Sequence, residues 1–263
     1  MTTNTFWQPL ASNPPSHASD SDALSSDTLS SDTLWYWLPG WSFTANIFES
    51  LYRQIPGRHM GLDYQALYHA LNQQGFESAV TALRHQSSRH AHWVGWSLGG
   101  AIATATSSTL NARSTTVFGT GSQFCQTSDH NDNDNDNDNH YNHGMPISTL
   151  ETFIQHYQQN AAKTLKRFTA LCSQGSSQPR ALSRTLAAHQ STPDAELITG
   201  LHWLKTACTA PEPSQFLALY GEQDALNPGG LQPSDTLPGS HAFWLEPDNQ
   251  QRILTRLQRS TRP

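Results

Sequence analysis

The chain has 263 residues, enough for one sizeable core, with a hydrophobic fraction of 36% and a formal net charge of −6. Much of the negative charge sits in or beside one tract through Asp129, Asp132, Asp134, Asp136 and Asp138, and the remainder is close to neutral. That balance speaks against a nucleic acid or a membrane surface as the partner of the whole molecule.

Residues 1–33 are rich in Ser, Thr, Asp and Asn, and residues 129–140 read DHNDNDNDNDNH. Neither segment holds enough apolar surface to offset its ordering entropy, so 1–33 is expected to be a disordered leader and 122–144 a low-complexity loop. The N-terminus lacks a basic region followed by an apolar one, and no window approaches 18 apolar residues. The expectation is a soluble, cytosolic protein. Cys125, Cys172 and Cys208 are odd in number and widely spaced, a pattern that points to neither a disulfide framework nor a zinc site.

In chain order, Leu34-Trp-Tyr-Trp-Leu38 is a continuous apolar run stopped by Pro39-Gly40, which predicts a buried strand and a tight turn. Residues 45–55 and 64–83 have helical spacing, the second through Leu67, Leu71 and Val80. Ala91–Val94 is a second short strand. A stretch of small residues, 101–110, suits a helix packed tightly on a sheet, and Thr115–Gly119 is a third strand. Ser148-Thr-Leu-Glu151 reads as a capping box, followed by Phe153, Tyr157, Ala161, Leu165 and Phe168 at helical spacing. Pro179 opens another helix, and Thr192-Pro193-Asp194 reads as the start of a further one through Leu197, Leu201, Leu204 and Cys208. Gln215–Tyr220 returns to strand, and a helix near 248–259 closes the chain. Strands alternating with helices predict an α/β fold with a mostly parallel sheet covered on both faces. Its core would span 34–121 and 209–263, with 145–208 inserted as a helical lid.

Chemistry concentrates at Gly95-Trp96-Ser97-Leu98-Gly99, a G-x-S-x-G set between a strand and a small-residue helix. In that context the sharp turn exposes a strained serine hydroxyl, and the helix N-terminus faces developing negative charge. A serine needs a base, and the base needs an orienting carboxylate. Tyr220-Gly-Glu-Gln-Asp224 places an acid just past a strand, with Glu222 as a rival. His241 follows in Gly239-Ser-His241, and no later histidine exists. The order Ser97, Asp224, His241 is that of an α/β-hydrolase. The backbone N–H of Leu98 is one oxyanion donor, and that of Trp41, in the turn after the first strand, is the candidate second.

Gly95-Trp-Ser-Leu-Gly-Gly100 resembles the elbow of the pimeloyl-[acyl-carrier protein] methyl ester esterases of biotin synthesis. Lys166-Arg-Phe-Thr-Ala-Leu171, Leu201-His-Trp-Leu-Lys-Thr206 and Phe216-Leu-Ala-Leu-Tyr-Gly221 are similar to that family as well. The resemblance runs from about 34 to 259, more weakly at 42–90 and 122–147, and Pro39 stands where the family usually has His. It implies the α/β-hydrolase fold and hydrolysis of the methyl ester at the distal end of a pimeloyl chain held on acyl-carrier protein, without metal or organic cofactor. It also implies a triad of Ser97, Asp224 and His241, and oxyanion donors at Trp41 and Leu98. Trp41 and Phe168 would bind the substrate, with Phe168 beside the acyl chain, and Lys163, Arg167, Arg180 and Arg184 would hold the acidic carrier protein. From the residues alone, Lys163 and Arg167 are four apart on one predicted helix and Arg180 and Arg184 four apart on the next, a pattern that equally describes a solvated helix face. A general short-chain carboxylesterase, and a hydrolase-fold protein that binds without catalysis, are the alternative readings.

Overall fold

The apolar run Leu34–Leu38 forms strand β2, and its neighbours are set by which other segments can be buried on both faces. The structure is a computed structural model that describes residues 5–11, 32–120, 124–125, 145–207, 215–226 and 236–260. Seven strands make one sheet: β1 (Trp7–Pro9), β2 (Leu34–Leu38), β3 (Arg58–Leu62), β4 (His92–Trp96), β5 (Ser114–Phe118), β6 (Phe216–Gly221) and β7 (Thr236–Leu237). Their order is β1-β3-β2-β4-β5-β6-β7, parallel except for β1, which runs antiparallel to β3. The central strands β4 and β5 are buried throughout, as two-sided burial demands.

Helices cover the sheet: α1 (Glu49–Tyr52), α2 (Tyr64–Leu71), α3 (Phe76–His85), α4 (Leu98–Leu110) and α9 (Pro247–Arg259). The run of small residues in α4 lets it lie close on β4 and β5. Between β5 and β6 come α5 (Ile147–Gln159), α6 (Ala161–Ser173), α7 (Pro179–Ala188) and α8 (Leu197–Thr206), the helices of the segment expected to form a lid. Amphipathic α6 buries Leu165, Phe168 and Cys172 and turns Lys163, Lys166 and Arg167 outward. All eight tryptophans are buried.

Several sequence expectations need correction. The segment 1–33 is not leader throughout: Trp7–Pro9 adds an edge strand, and Phe6 and Trp7 are buried. The Trp7 ring packs 4.2 Å from that of Tyr36, and its indole N–H donates to Ser87 Oγ at 3.2 Å. Two aromatic residues in a polar context were enough to anchor it. The helix expected over 64–83 breaks in two because Asn72 and Gln73 take left-handed conformations, φ 41° and 67°. Strand β3 went unread because Arg58-His-Met-Gly-Leu62 lacks both alternation and an apolar run. Residues 45–48 form a 3₁₀ turn before the single-turn α1. Ser148 does not cap: α5 begins at Ile147, and no side-chain hydrogen bond closes its N-terminus. Asp194 likewise lies in a turn ahead of α8, its carboxylate accepting from the Glu196 N–H. Phe124 and Cys125, expected within a loop, are buried, and Cys125 bridges to Met145. The tract 129–140 and Cys208 lie outside the described residues.

Candidate active site

The chain crosses from one side of β2 to the other when it passes from β3 to β4, so the loops that follow β2 and β4 diverge and leave a crevice at their carboxyl ends. Four strand ends meet there. β2 leads into Pro39-Gly40-Trp41, β4 into Ser97, β5 into Gly119 and β6 into the turn that carries Asp224.

Ser97 joins β4 to α4 with φ 53° and ψ −119°, a conformation an L-residue adopts at a cost of about 1–3 kcal/mol. The elbow is held from three sides. The Ser97 N–H donates to Phe118 O at 2.9 Å, and the Ala101 N–H donates back to Ser97 O at 3.1 Å. Gly99 presses against the β2 turn so closely that a Cβ there would collide with the carbonyl oxygens of Leu38 and Pro39. Ser97 opens on a cavity of about 550 Å³.

Asp224 and His241 are joined: Asp224 Oδ2 and His241 Nδ1 lie 2.7 Å apart, and both side chains are fully buried. Asp224 Oδ1 accepts from the Leu226 N–H at 2.8 Å. A carboxylate acceptor fixes the proton on Nδ1 and leaves Nε2 as the acceptor. Nε2 is buried and has no hydrogen-bond partner among the described residues. Glu222, the rival acid, is exposed, and its carboxylate accepts from the Gln223 side-chain amide at 3.5 Å.

Two further residues shape this corner, and local sequence signals do not single them out. The Trp96 indole N–H donates to the His241 carbonyl at 3.1 Å, with the two rings 5.4 Å apart, so the residue before the serine also holds the histidine loop. Gly119 has φ 60°, and a Cβ there would come within 2.8 Å of His241 Cε1 and Nδ1. It is the space the imidazole needs.

The remaining candidates divide. Leu98 is the first residue of α4, so its N–H has no carbonyl one turn back to receive it. Trp41 is 1% exposed, its ring lines the cavity, and its indole N–H donates to Leu197 O at 2.7 Å. Phe168 packs edge-on against Trp41 with centroids 5.1 Å apart and lines the same cavity. Lys163 and Arg167 line the cavity on the α6 side; Arg180 and Arg184 do not line it and lie exposed on neighbouring α7. None of these four cations enters an ion pair among the described residues. Apolar side chains, among them Phe124, Phe153, Leu171, Leu201 and Leu204, share the wall with polar ones such as Thr149, Thr152 and Gln159, and most of its surface is apolar.

Burial pushes the Cys125 thiol up to about 11 and the Cys172 thiol well above the ordinary thiol range. Neither is a nucleophile in that state. Among the described residues no group of three or more His, Cys, Asp and Glu side chains could hold a metal ion, and no helix is long and apolar enough to cross a membrane.

No family model matches the chain. Curated relatives do. A pimeloyl-[acyl-carrier protein] methyl ester esterase of Shewanella sp. (strain MR-7) is 26% identical over 212 residues, 74% of this chain and 75% of the relative. Those of Citrobacter koseri and Xylella fastidiosa (strain M23) are 28% identical over 227 residues and 27% over 240. They cover 81% and 80% of this chain, and 82% and 89% of their own. Among solved structures, an esterase from Exiguobacterium antarcticum aligns with TM-score 0.56 at 16% identity, over 89% of this chain and 93% of its own. BioG from Haemophilus influenzae aligns with TM-score 0.53 at 17% identity, over 80% and 89%. An enol-lactonase from Burkholderia xenovorans LB400 aligns with TM-score 0.62 at 10% identity, over 87% and 91%. With its mostly parallel seven-stranded sheet and surrounding helices, the chain has the α/β-hydrolase fold.

Proposed function

We infer that this α/β-hydrolase, similar in sequence to the pimeloyl-[acyl-carrier protein] methyl ester esterases, is a serine carboxylesterase that frees pimeloyl-[acyl-carrier protein] from its methyl ester. The observation that carries the reading is the cavity. It starts at Ser97, is walled by apolar and aromatic side chains, and reaches Lys163 and Arg167 on α6. An apolar channel suits an acyl chain, and cations on its wall suit an anionic group or acidic protein outside.

In this mechanism Ser97 Oγ attacks the ester carbonyl while His241 Nε2 takes its proton. Asp224 holds Nδ1–H and stabilises the imidazolium. The Trp41 and Leu98 N–H groups receive the oxyanion of the tetrahedral intermediate. The intermediate collapses with loss of methanol, whose oxygen takes the proton back from Nε2. A water that gives its proton to His241 then attacks the acyl-enzyme and releases the carboxylate. The thioester that links the chain to its carrier is spared because only the distal carbonyl reaches the donors. Phe168 borders the chain, and Lys163, Arg167, Arg180 and Arg184 receive the acidic carrier.

The test compares a methyl pimeloyl thioester on acyl-carrier protein with a small free methyl ester, for wild type and for Ser97→Ala. Wild type is expected to hydrolyse both and to act far more efficiently on the carrier-linked ester. Ser97→Ala should lose both activities by several powers of ten while keeping its fold. Equal efficiency on both substrates would make this a general short-chain carboxylesterase. Retained turnover in Ser97→Ala would remove the nucleophile assignment.

A further inference from the structure

The lid and the turn that bears Trp41 are stitched together. Ser42, next in the chain, has φ 65°, an uncommon conformation for a residue other than glycine. Its carbonyl accepts from the Ser191 N–H at 2.7 Å, and the Thr44 N–H donates to His189 O at 3.0 Å. Phe43 and Gln190 form an antiparallel bridge between these two bonds. The Trp41 indole N–H donates to Leu197 O at 2.7 Å, where α8 begins. Gly200, one turn on, lets α8 rest on the site: a Cβ there would lie 3.0 Å from both Leu98 Cδ2 and Trp41 Cδ1, and would collide with the Tyr68 hydroxyl. Gln190 reaches the other way, its side-chain amide donating to Leu165 O in α6 at 3.2 Å. From the backbone of α6 to the Trp41 turn the connection is therefore continuous.

We propose that the lid segment 189–197 is a built-in part of the oxyanion hole. It holds the left-handed Ser42 turn and thereby positions the Trp41 N–H, with the Trp41 indole and Gln190 as positioning groups. The inference rests on reading the Trp41 N–H as an oxyanion donor. Physically, a donor in an irregular turn contributes to transition-state stabilisation only if it is already aimed when charge develops. The core alone holds this turn through the Phe43 N–H to Gly40 O bond, at 3.1 Å, and the Tyr64 hydroxyl bond to Pro39 O, at 2.8 Å; the lid supplies the rest.

The test uses Trp41→Phe, which keeps an aromatic ring and the backbone N–H but removes the bond to Leu197, and Gln190→Ala, at a half-buried position, which removes the bond to Leu165. Each is assayed for hydrolysis and for inhibition by two ligands of the same chain. One is a trifluoromethyl ketone, to which Ser97 Oγ adds while its proton passes to His241 and the ketone oxygen becomes an oxyanion. The other is an unreactive amide that stays in the ground state. Expected is a parallel fall in kcat and in ketone affinity, roughly tenfold for Trp41→Phe and several-fold for Gln190→Ala, with ketone affinity falling more than amide affinity in both and with KM nearly unchanged for Gln190→Ala, since Gln190 does not line the cavity. If melting temperature falls while kcat and ketone affinity hold, the stitch is only structural and the proposal is overturned. If the ketone fails to inhibit wild type, or Ser97→Ala retains turnover, the oxyanion reading falls with it. A loss in the two variants alongside an inert Ser97→Ala upholds both.

Discussion

Both oxygens of Asp224 are engaged within its own turn and its neighbour: Oδ2 meets His241 Nδ1 and Oδ1 takes the Leu226 N–H. Removing the charge while keeping the shape therefore attacks orientation and imidazolium stabilisation without opening a cavity. Asp224→Asn is expected to lower kcat by roughly three to four orders of magnitude, because an amide that donates to Nδ1 forces the wrong tautomer. Glu222→Gln, an exposed change with no contact to His241, should leave kcat within a factor of about two. Steady-state kinetics on one ester for both variants decides it; the reverse ranking would transfer the role to Glu222.

Among the elements, β1 and the lid make opposite kinds of contribution. β1 is a three-residue edge strand whose main purchase is Trp7, packed on Tyr36 and Trp93 far from Ser97. Trp7→Ala should destabilise by about 3–5 kcal/mol, the range for truncating a buried aromatic, while kcat measured below the new melting temperature stays near wild type. Urea denaturation alongside the esterase assay separates the two effects. For the proposed lid, reversing Arg167 and Arg184 to Glu would place like charge before the acidic carrier that is proposed to dock there. Action on the carrier-linked ester should fall at least tenfold, and most steeply at low ionic strength, where steering is strongest. Hydrolysis of a small free ester should be nearly unchanged. Equal losses on both substrates would mean that these charges support the lid instead.

At the scale of the whole molecule, two buried histidines set its tolerance of acid. His59 is fully satisfied as a neutral ring: Nδ1 accepts from the Trp37 indole at 3.0 Å and Nε2 donates to Ile55 O at 2.9 Å. A second proton would break the Trp37 bond. His92 pairs through Nδ1 with Ser114 Oγ at 2.7 Å and stacks 4.6 Å from Trp35. Burial lowers the pKa of both, that of His92 to about 4, with Arg113 adding to the latter effect. The unfolded chain therefore binds protons that the folded one refuses. The stability from keeping these rings neutral is fully present above about pH 6.5 and is lost as pH falls below it, for His92 toward about 4. For His92 alone the loss is roughly 3 kcal/mol across that window. His92→Gln should flatten the dependence of denaturation midpoint on pH between about 6.5 and 4; an unaltered slope would show that other groups carry it.

Legibility followed the range of the interactions. The β2 run, the serine between a strand and a small-residue helix, the later acid and histidine, and the helical stretch between β5 and β6 are local patterns, so the α/β class and the residues worth testing could be read from the chain alone. A helix does open beside Ser148, but neither Ser148 nor Thr192 caps one, because a capping residue acts only where the chain actually turns. What required the tertiary structure is whatever depends on partners distant in sequence. Strand β3 has no pattern of its own and exists because β2 and β1 pair with it. Trp7 joins the sheet because Tyr36 and Trp93 leave a surface for it. Asp224 and not Glu222 meets His241, although the two acids are two residues apart, because the turn after β6 points them in different directions. Gly119 is needed only once an imidazole lies against it. The seam between Ser42–Thr44 and His189–Ser191 joins segments about 146 residues apart, and no local propensity encodes a contact whose two halves meet only after the sheet and lid have packed.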